Sequence, residues 1–268
     1  MTFLSATLRM ERTMRLYSWN VNGFRAVSQK KDWEWFARTN GDIVALQETK
    51  AEESQIPDEH RSPAGYHAEW LSASKKKGYS GVAVFSKQPP LAVTRELPDP
   101  TFQGEGRLLH FELPAFHFLG VYFPNGQKDS DRLDYKMRYY DAFLHHAEAL
   151  RKQKPIVVCG DFNTAHTPID IARPKENEGT SGFLPEERAW LDKFVAHGYV
   201  DTFRHVNPDA KDCYSWWSYR FKARERNVGW RIDYFFVSQE LAPAIRNAWI
   251  EADVTGSDHC PVGLELAL

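Results

Sequence analysis

The chain has no apolar run near the roughly 18 residues that a membrane-spanning helix needs. Cysteine is scarce: Cys159, Cys213 and Cys260 are an odd number at wide spacing, with no C-x-x-C pair. That argues against a disulfide scaffold and for a reducing, intracellular compartment, which in a prokaryote is the cytoplasm or nucleoid. Excess charge of either sign is also missing. Lys and Arg number 34 against 36 Asp and Glu, a formal net charge of −2, so overall charge does not announce a nucleic-acid binder. There is no internal repeat and no low-complexity linker. The N-terminus lacks the basic-then-apolar pattern of a secretory signal. Residues 1–13 read as a short, disordered leader and 14–268 as a single domain.

What is present is enough to fill a large core: 42% hydrophobic and 14% aromatic residues in a chain of 268. Short apolar runs predict strands at 15–20, 43–48, 81–86, 107–113, 116–123, 155–161, 231–238 and 262–268. Three helices are expected. One spans 28–38, with Ser28 as N-cap. One spans 131–152, with Leu133, Met137, Tyr140, Leu144 and Ala147 on one stripe. The third runs from Pro185 to about His197, with acids in its first turn and Gly198 after its end. Strands and helices alternate without a break, which favours one layered α/β domain. Basic residues cluster locally at 75–77 and 220–226, the second cluster among aromatics.

The apolar runs end in acids and amides. "YSWN" ends at Asn20, "VALQE" at Glu48 and "VVCGDFN" at Asp161 and Asn163. "VYFPN" runs from Tyr122 to Asn125, "WRID" carries Asp233, and "SDHCP" carries Asp258 and His259. If these ends converge, several carboxylates share one pocket and repel, and burial adds to the cost. A divalent cation relieves that repulsion. Oxygen donors without thiolates suit a hard ion such as Mg²⁺ or Mn²⁺, which is bound with substrate phosphate oxygens. Taken singly, each signal has an ordinary alternative: Glu48 as a solvated strand end, "GDFN" as a turn, Tyr122 as a half-buried strand aromatic. A buried Asp233 needs a partner, and His259 is the candidate. Cys260 reads as a small buried residue at the start of the last strand.

The ordered blocks "SWNVNGFRA", "IVALQETK", "GVYFPNG", "GDFNTAHTPID", "YSWWSYRFKARERNVGWRIDYFFVS" and "GSDHCPVGLEL" resemble the exonuclease III family of apurinic/apyrimidinic (AP) endonucleases. That family lies within the endonuclease/exonuclease/phosphatase superfamily. "GDFN" and "SDHCP" alone point only to the superfamily; the block 214–238 points to the AP endonuclease branch. The resemblance implies a four-layer α/β sandwich, two mixed β-sheets packed face to face and flanked by helices, with 14–268 as the catalytic domain. It implies Mg²⁺-dependent hydrolysis of the DNA backbone 5′ to an abasic site, leaving a 3′-hydroxyl, with 3′-phosphodiesterase and 3′→5′ exonuclease activity. Mn²⁺ is expected to substitute.

Carried over by motif, Glu48 is the main metal ligand, aided by Asn20 and Asp258, with Asp161 and Asn163 as further candidates. Asp161 orients and deprotonates the attacking water, and Asn163 positions it. Tyr122 aids the leaving oxygen. His259, fixed by Asp233, holds a phosphate oxygen. Asn22, Arg25, Asn125, Lys128, Arg220 and Lys222 contact DNA, and Arg224 and Arg226 are further candidates to face phosphates. Trp216, Trp230 and Ile232 form an apolar pocket for a flipped abasic sugar, flanked by 173–183. Where some members carry Asp, this chain has the neutral Asn22. The implied partner is double-stranded DNA with abasic sites or blocked 3′ ends, bound by a monomer without a membrane. Two alternatives stay open: a 3′-exonuclease or 3′-phosphatase with weak abasic activity, and a non-catalytic DNA-damage-binding module.

Overall fold

The computed structural model describes residues 13–127 and 129–268. The leader at 1–12 and the DNA contact expected at Lys128 lie outside them. Thr13, placed by the sequence in the leader, is the first residue of β1 and pairs with Ala267.

Twelve strands form two sheets among the described residues. The first is ordered β11-β12-β1-β2-β4-β3: Ile245–Ile250, Val262–Ala267, Thr13–Asn20, Ile43–Gln47, Val82–Ser86 and His67–Leu71. The second is ordered β5-β6-β7-β8-β10-β9: Ala92–Arg95, Leu108–Glu112, His117–Tyr122, Ile156–Asp161, Asp233–Ser238 and Tyr199–Asp201. The β1–β2 and β7–β8 pairs are parallel and the others antiparallel, so both sheets are mixed. Seven α-helical segments join them: α1 Phe24–Val27, α2 Glu34–Thr39, α3 Asp58–Arg61, α4 Ser130–Arg151, α5 Pro174–Asn177, α6 Pro185–Ala196 and α7 Thr202–Val206. None of them is long and apolar enough to cross a membrane.

The layers follow from the two-residue period of a strand. Leu16, Ala45 and Val84 of the first sheet meet Phe118, Val157, Cys159 and Phe235 of the second in one core. The alternate residues face outward. Tyr17, Trp19 and Phe85 pack against α1 and α2, and Leu119, Val158 and Phe236 against α4 and α6. The expected four-layer sandwich is therefore what forms. Gly160 is one position where only glycine fits. Its φ is +139°, and a Cβ there would lie 1.8 Å from the Val121 carbonyl oxygen.

The helix expected at 28–38 is instead two segments. Ser28 closes α1, its N–H bonded to the Phe24 carbonyl, and Lys30 is extended before a 3₁₀ turn leads into α2. The break lets Trp33 fold back edge-on to Phe24, ring centroids 4.9 Å apart. The other two helices form as expected within a residue or so at each end. Asp129, one residue ahead of α4, caps it through the Arg132 N–H at 2.8 Å.

Under α4, far along β7 from its acidic end, His110 Nε2 and His117 Nδ1 lie 2.9 Å apart, and the His146 ring packs against His110. Burial pushes all three imidazoles down, His110 to about 4 with help from its two neighbours. A group with a depressed folded pKa favours the fold above its unfolded pKa and loses that contribution as the pH falls toward the folded value. Stability is therefore expected to drop between about pH 6.5 and 4, by about 2 kcal/mol at pH 5 from His110 alone. Urea midpoints at neutral and acid pH check this, and His110→Leu should flatten the dependence.

Candidate active site

The alternation that builds the core also builds the site. Asn20, Tyr122, Asp161 and Asp233 share inner-face parity with Leu16, Phe118, Cys159 and Phe235. They sit at one end of the sandwich: β7 and β8 run parallel, and Tyr122 and Asp233 both register with Asp161. Here the inward strand positions turn from apolar to polar. Glu48 follows β2 in a left-handed conformation (φ 49°), as do Lys50 (φ 49°), Asn22 (φ 44°) and Asn163 (φ 52°) nearby. Such backbone strain collects where a functional geometry must be held.

The Asn20 side chain is fully buried and bridges two acids. Its Nδ2 donates to Glu48 Oε1 and to Asp161 Oδ2, both at 2.9 Å. Asp161 also accepts from the Asn163 backbone N–H at 2.7 Å. Asn163 is fixed in turn by Asn125, whose Nδ2 donates to its Oδ1 at 3.1 Å. Burial raises the Asp161 pKa; His259 lowers it, and Asp233 and Glu48 raise it again. Burial would also raise Glu48, but Lys50, 2.6 Å from Oε2, and the Asn20 amide bring it below the usual range.

His259 is held by Asp233, with Nδ1 2.8 Å from Oδ2, and its Nε2 lies 3.9 Å from Asp161 Oδ2. Burial alone would push the imidazolium down, but Asp233, then Asp161, push it well above the usual histidine range. Ser215 Oγ donates to the same Asp233 oxygen at 2.7 Å, while Oδ1 is buried with no partner. An uncompensated carboxylate there would be costly, so the pair is best described as imidazolium and carboxylate. Burial, then Glu48, keep the Tyr122 phenol neutral, and the Arg107 guanidinium lies 4.8 Å from its ring centroid.

One atom each from Glu48, Asp161 and His259 fall within 4.8 Å of one another. A protonated His259 offers no lone pair, which leaves the two carboxylates; the Asn20 amide, expected as a ligand, turns its Nδ2 to both acids and its Oδ1 to the Asn22 N–H, so it orients them rather than offering an oxygen. This all-oxygen set fits a hard divalent ion. Asp258 stands across from it: Oδ1 accepts from Asn22 Nδ2 at 2.8 Å and Oδ2 from Trp216 Nε1 at 3.1 Å. Asn22 is thus tied into the cluster, and Lys50 Nζ donates to its Oδ1.

A cavity of about 300 Å³ opens on these groups, walled by Trp216, Trp230, Ile232, Ser181 and Gly182. Trp216 and Trp230 are half-buried and meet edge to face at 5.8 Å. Residues 215–217 bond to Trp230 on one side and to Asp258 and Cys260 on the other, which brings Trp216 beside His259. A larger cleft of about 620 Å³ lies elsewhere, but Asp170 and Asp201 on its walls are neutralised by Arg231 and Arg204.

Arg25, Arg220 and Lys222 are exposed; Arg220 lines a hollow that shares Trp216 and Trp230 with the active-site cavity, and Lys222 one that shares Asp258. Arg224 is already engaged: it stacks over Trp217 at 4.6 Å and donates to the carbonyls of Ala252, Val254 and Ser257. Cys260 is fully buried with its thiol toward the Tyr214 carbonyl, packed with Tyr214, Trp217 and Ala223. Sequence reasoning missed Lys50, Ser215 and Arg107. Lys50 follows Glu48 by two residues, a usable signal; nothing in the spacing marks the other two.

The sequence pattern of the Endonuclease/Exonuclease/phosphatase family matches residues 17–259. The chain is 47% identical to an exodeoxyribonuclease of Bacillus subtilis (strain 168) over 252 residues, 94% of this chain and 98% of that protein. It is 40% identical to a DNA-(apurinic or apyrimidinic site) endonuclease of Dictyostelium discoideum over 261 residues, 96% of this chain and 72% of that one. The 3′ phosphatase NExo from Neisseria, solved bound to a product DNA hairpin, superposes with a TM-score of 0.86 at 28% identity, covering 95% of this chain and all of that one. With its sandwich fold, its carboxylate–amide–imidazole cluster and these likenesses, the chain belongs to the endonuclease/exonuclease/phosphatase family of hydrolases, alongside its exodeoxyribonucleases and AP endonucleases.

Proposed function

We propose that the protein is a divalent-metal-dependent DNA repair nuclease that hydrolyses the phosphodiester 5′ to an abasic site and leaves a 3′-hydroxyl, with accompanying action on 3′ ends. The observation that carries this reading is a buried acid, Asp161, 3.9 Å from the His259 imidazole, beside a cavity walled by two tryptophans and an isoleucine.

Glu48, with Asp161 beside it and the Asn20 amide orienting both carboxylates, would hold the ion, Mg²⁺ first; when bound it supplies positive charge against the phosphoryl oxygens. Asp161 takes a proton from water as the water oxygen attacks phosphorus. Its raised pKa makes it a stronger base than a surface aspartate. Asn163 and Asn125 fix the position of that water or of a phosphate oxygen. The His259 imidazolium, aimed by Asp233, donates to a phosphate oxygen as charge builds there. Tyr122, kept neutral, donates to the leaving 3′-oxygen as the P–O bond breaks. Trp216, Trp230 and Ile232 receive an extruded sugar that has no base, which costs least to flip out of the duplex. Arg25, Arg220 and Lys222 lie where backbone phosphates pass.

The test gives the protein two duplexes with Mg²⁺: one with a single internal abasic analogue, the other with a 3′-phosphate at a nick. Efficient incision of the first supports the reading. Cleavage of the second alone supports a 3′-phosphatase, the reading favoured by the likeness to the Neisseria enzyme. Chelation by EDTA is expected to lower both rates by about 10³-fold or more, restored by added Mg²⁺; activity that persists in EDTA contradicts the metal assignment.

A further inference from the structure

Lys136 lies on the buried face of α4 with 0% exposure, paired with Glu187 of α6, also at 0%. All three ammonium protons are used: Nζ donates to Glu187 Oε1 at 2.6 Å, to Thr164 Oγ1 at 2.8 Å and to the Asn163 carbonyl at 2.8 Å. Glu187 is equally committed. Oε1 also accepts from Ser181 Oγ at 3.0 Å, and Oε2 from the backbone N–H of Gly182 at 2.5 Å and of Leu184 at 3.1 Å. Every bond from Glu187 other than the one to Lys136 thus goes to residues 181–184, part of the cavity wall. Gly182, at φ +97°, lies flat on an indole: a Cβ there would sit 2.7 Å from the Trp230 ring. Phe183 packs with Ala165, Ile171 and Ile232 against Trp216 and Trp230.

A buried ion pair adds little net stability over well-packed apolar residues of the same volume, so stability alone does not account for this one. Its geometry does. We propose that Lys136 and Glu187 are positioning residues that hold the wall 181–184 against Trp230, and so set acceptance of an extruded abasic sugar separately from the phosphoryl chemistry. This rests on the abasic-site reading above. Neither residue touches substrate; both act through Ser181 and Gly182.

The test compares kcat/KM on the same two duplexes. Lys136→Met/Glu187→Met removes the charges together, so no lone ion is left buried, and releases the wall. Incision at the abasic analogue is expected to fall about 10²-fold, the scale of a small misplacement in an active site, while removal of the 3′-phosphate is retained. Lys136→Met/Glu187→Gln keeps an amide carbonyl for the Gly182 N–H and is expected to recover part of the loss. An equal fall on both substrates, in protein that melts as a folded domain, would show that the pair serves Asn163 rather than the wall and would overturn the proposal. So would no fall at all, or no recovery with glutamine. Should the double methionine variant not fold, Ser181→Ala carries the same comparison with an abasic-selective loss of about 3- to 10-fold, the value of one hydrogen bond; equal effects on both substrates overturn it again. Wild-type protein that fails to incise the abasic duplex would refute the underlying reading before any variant is made, so the two failures are distinct.

Discussion

Asp161→Asn is expected to lower kcat about 10²- to 10⁴-fold, the contribution of a positioned general base, with DNA affinity little changed. The substitution keeps shape but removes basicity. Asp161 is the acid with the most reason to hold a proton: it is buried and close to two other acids. A base whose pKa is raised toward the working pH takes a proton from water more readily, provided it is ionised at the start. His259 and the Asn163 N–H keep that ionised form available. One cost must be separated from catalysis. The Asn20 amide donates to Asp161 Oδ2, and an asparagine there can present an N–H instead. Gel-shift binding together with thermal unfolding makes the separation. Lost binding or a large fall in Tm would assign Asp161 to structure rather than chemistry.

His259→Asn should cost about 10²- to 10³-fold in kcat, the scale of losing one preorganised donor to a developing oxyanion. It should also destabilise. Asp233 would remain buried without its cation, a situation that costs about 3–5 kcal/mol. The double variant His259→Asn/Asp233→Asn removes the stranded charge, so Tm is expected to recover in large part while activity does not. Activity that recovered along with stability would mean that His259 serves the fold rather than the phosphate.

These residues were legible because an acid at the end of an apolar run is conspicuous, and because the ordered blocks carried the family resemblance. The eight central strands were legible for the related reason that they are covered on both faces. β3, β5, β9 and β11 were missed, and each is an edge strand of its sheet. With one side open, such strands keep exposed residues such as Arg246 and Asn247 and show no long apolar run. The helix expected from Ser28 failed because the bend at 28–30 folds Trp33 back onto Phe24, ring centroids 4.9 Å apart, a contact that overrode a plausible cap. Lys136 was invisible for the opposite reason. It lies on the buried face of α4 with Tyr139, Tyr140 and Phe143, where a charge is unexpected unless its partner, 51 residues away, is known. Glu187 looked like an ordinary first-turn acid of α6; it does cap that turn, through the Leu184 N–H, but it also carries the wall.

In the proposed reaction water, activated by Asp161, attacks phosphorus and releases the 3′-oxygen. The most direct measurement is incision of a duplex with one natural abasic site in ¹⁸O-enriched water, with both product ends analysed by mass spectrometry. The predicted result is an unlabelled 3′-hydroxyl on the upstream fragment and one ¹⁸O in the 5′-phosphate of the downstream fragment. A 3′-unsaturated sugar end, or a downstream phosphate without label, would contradict it.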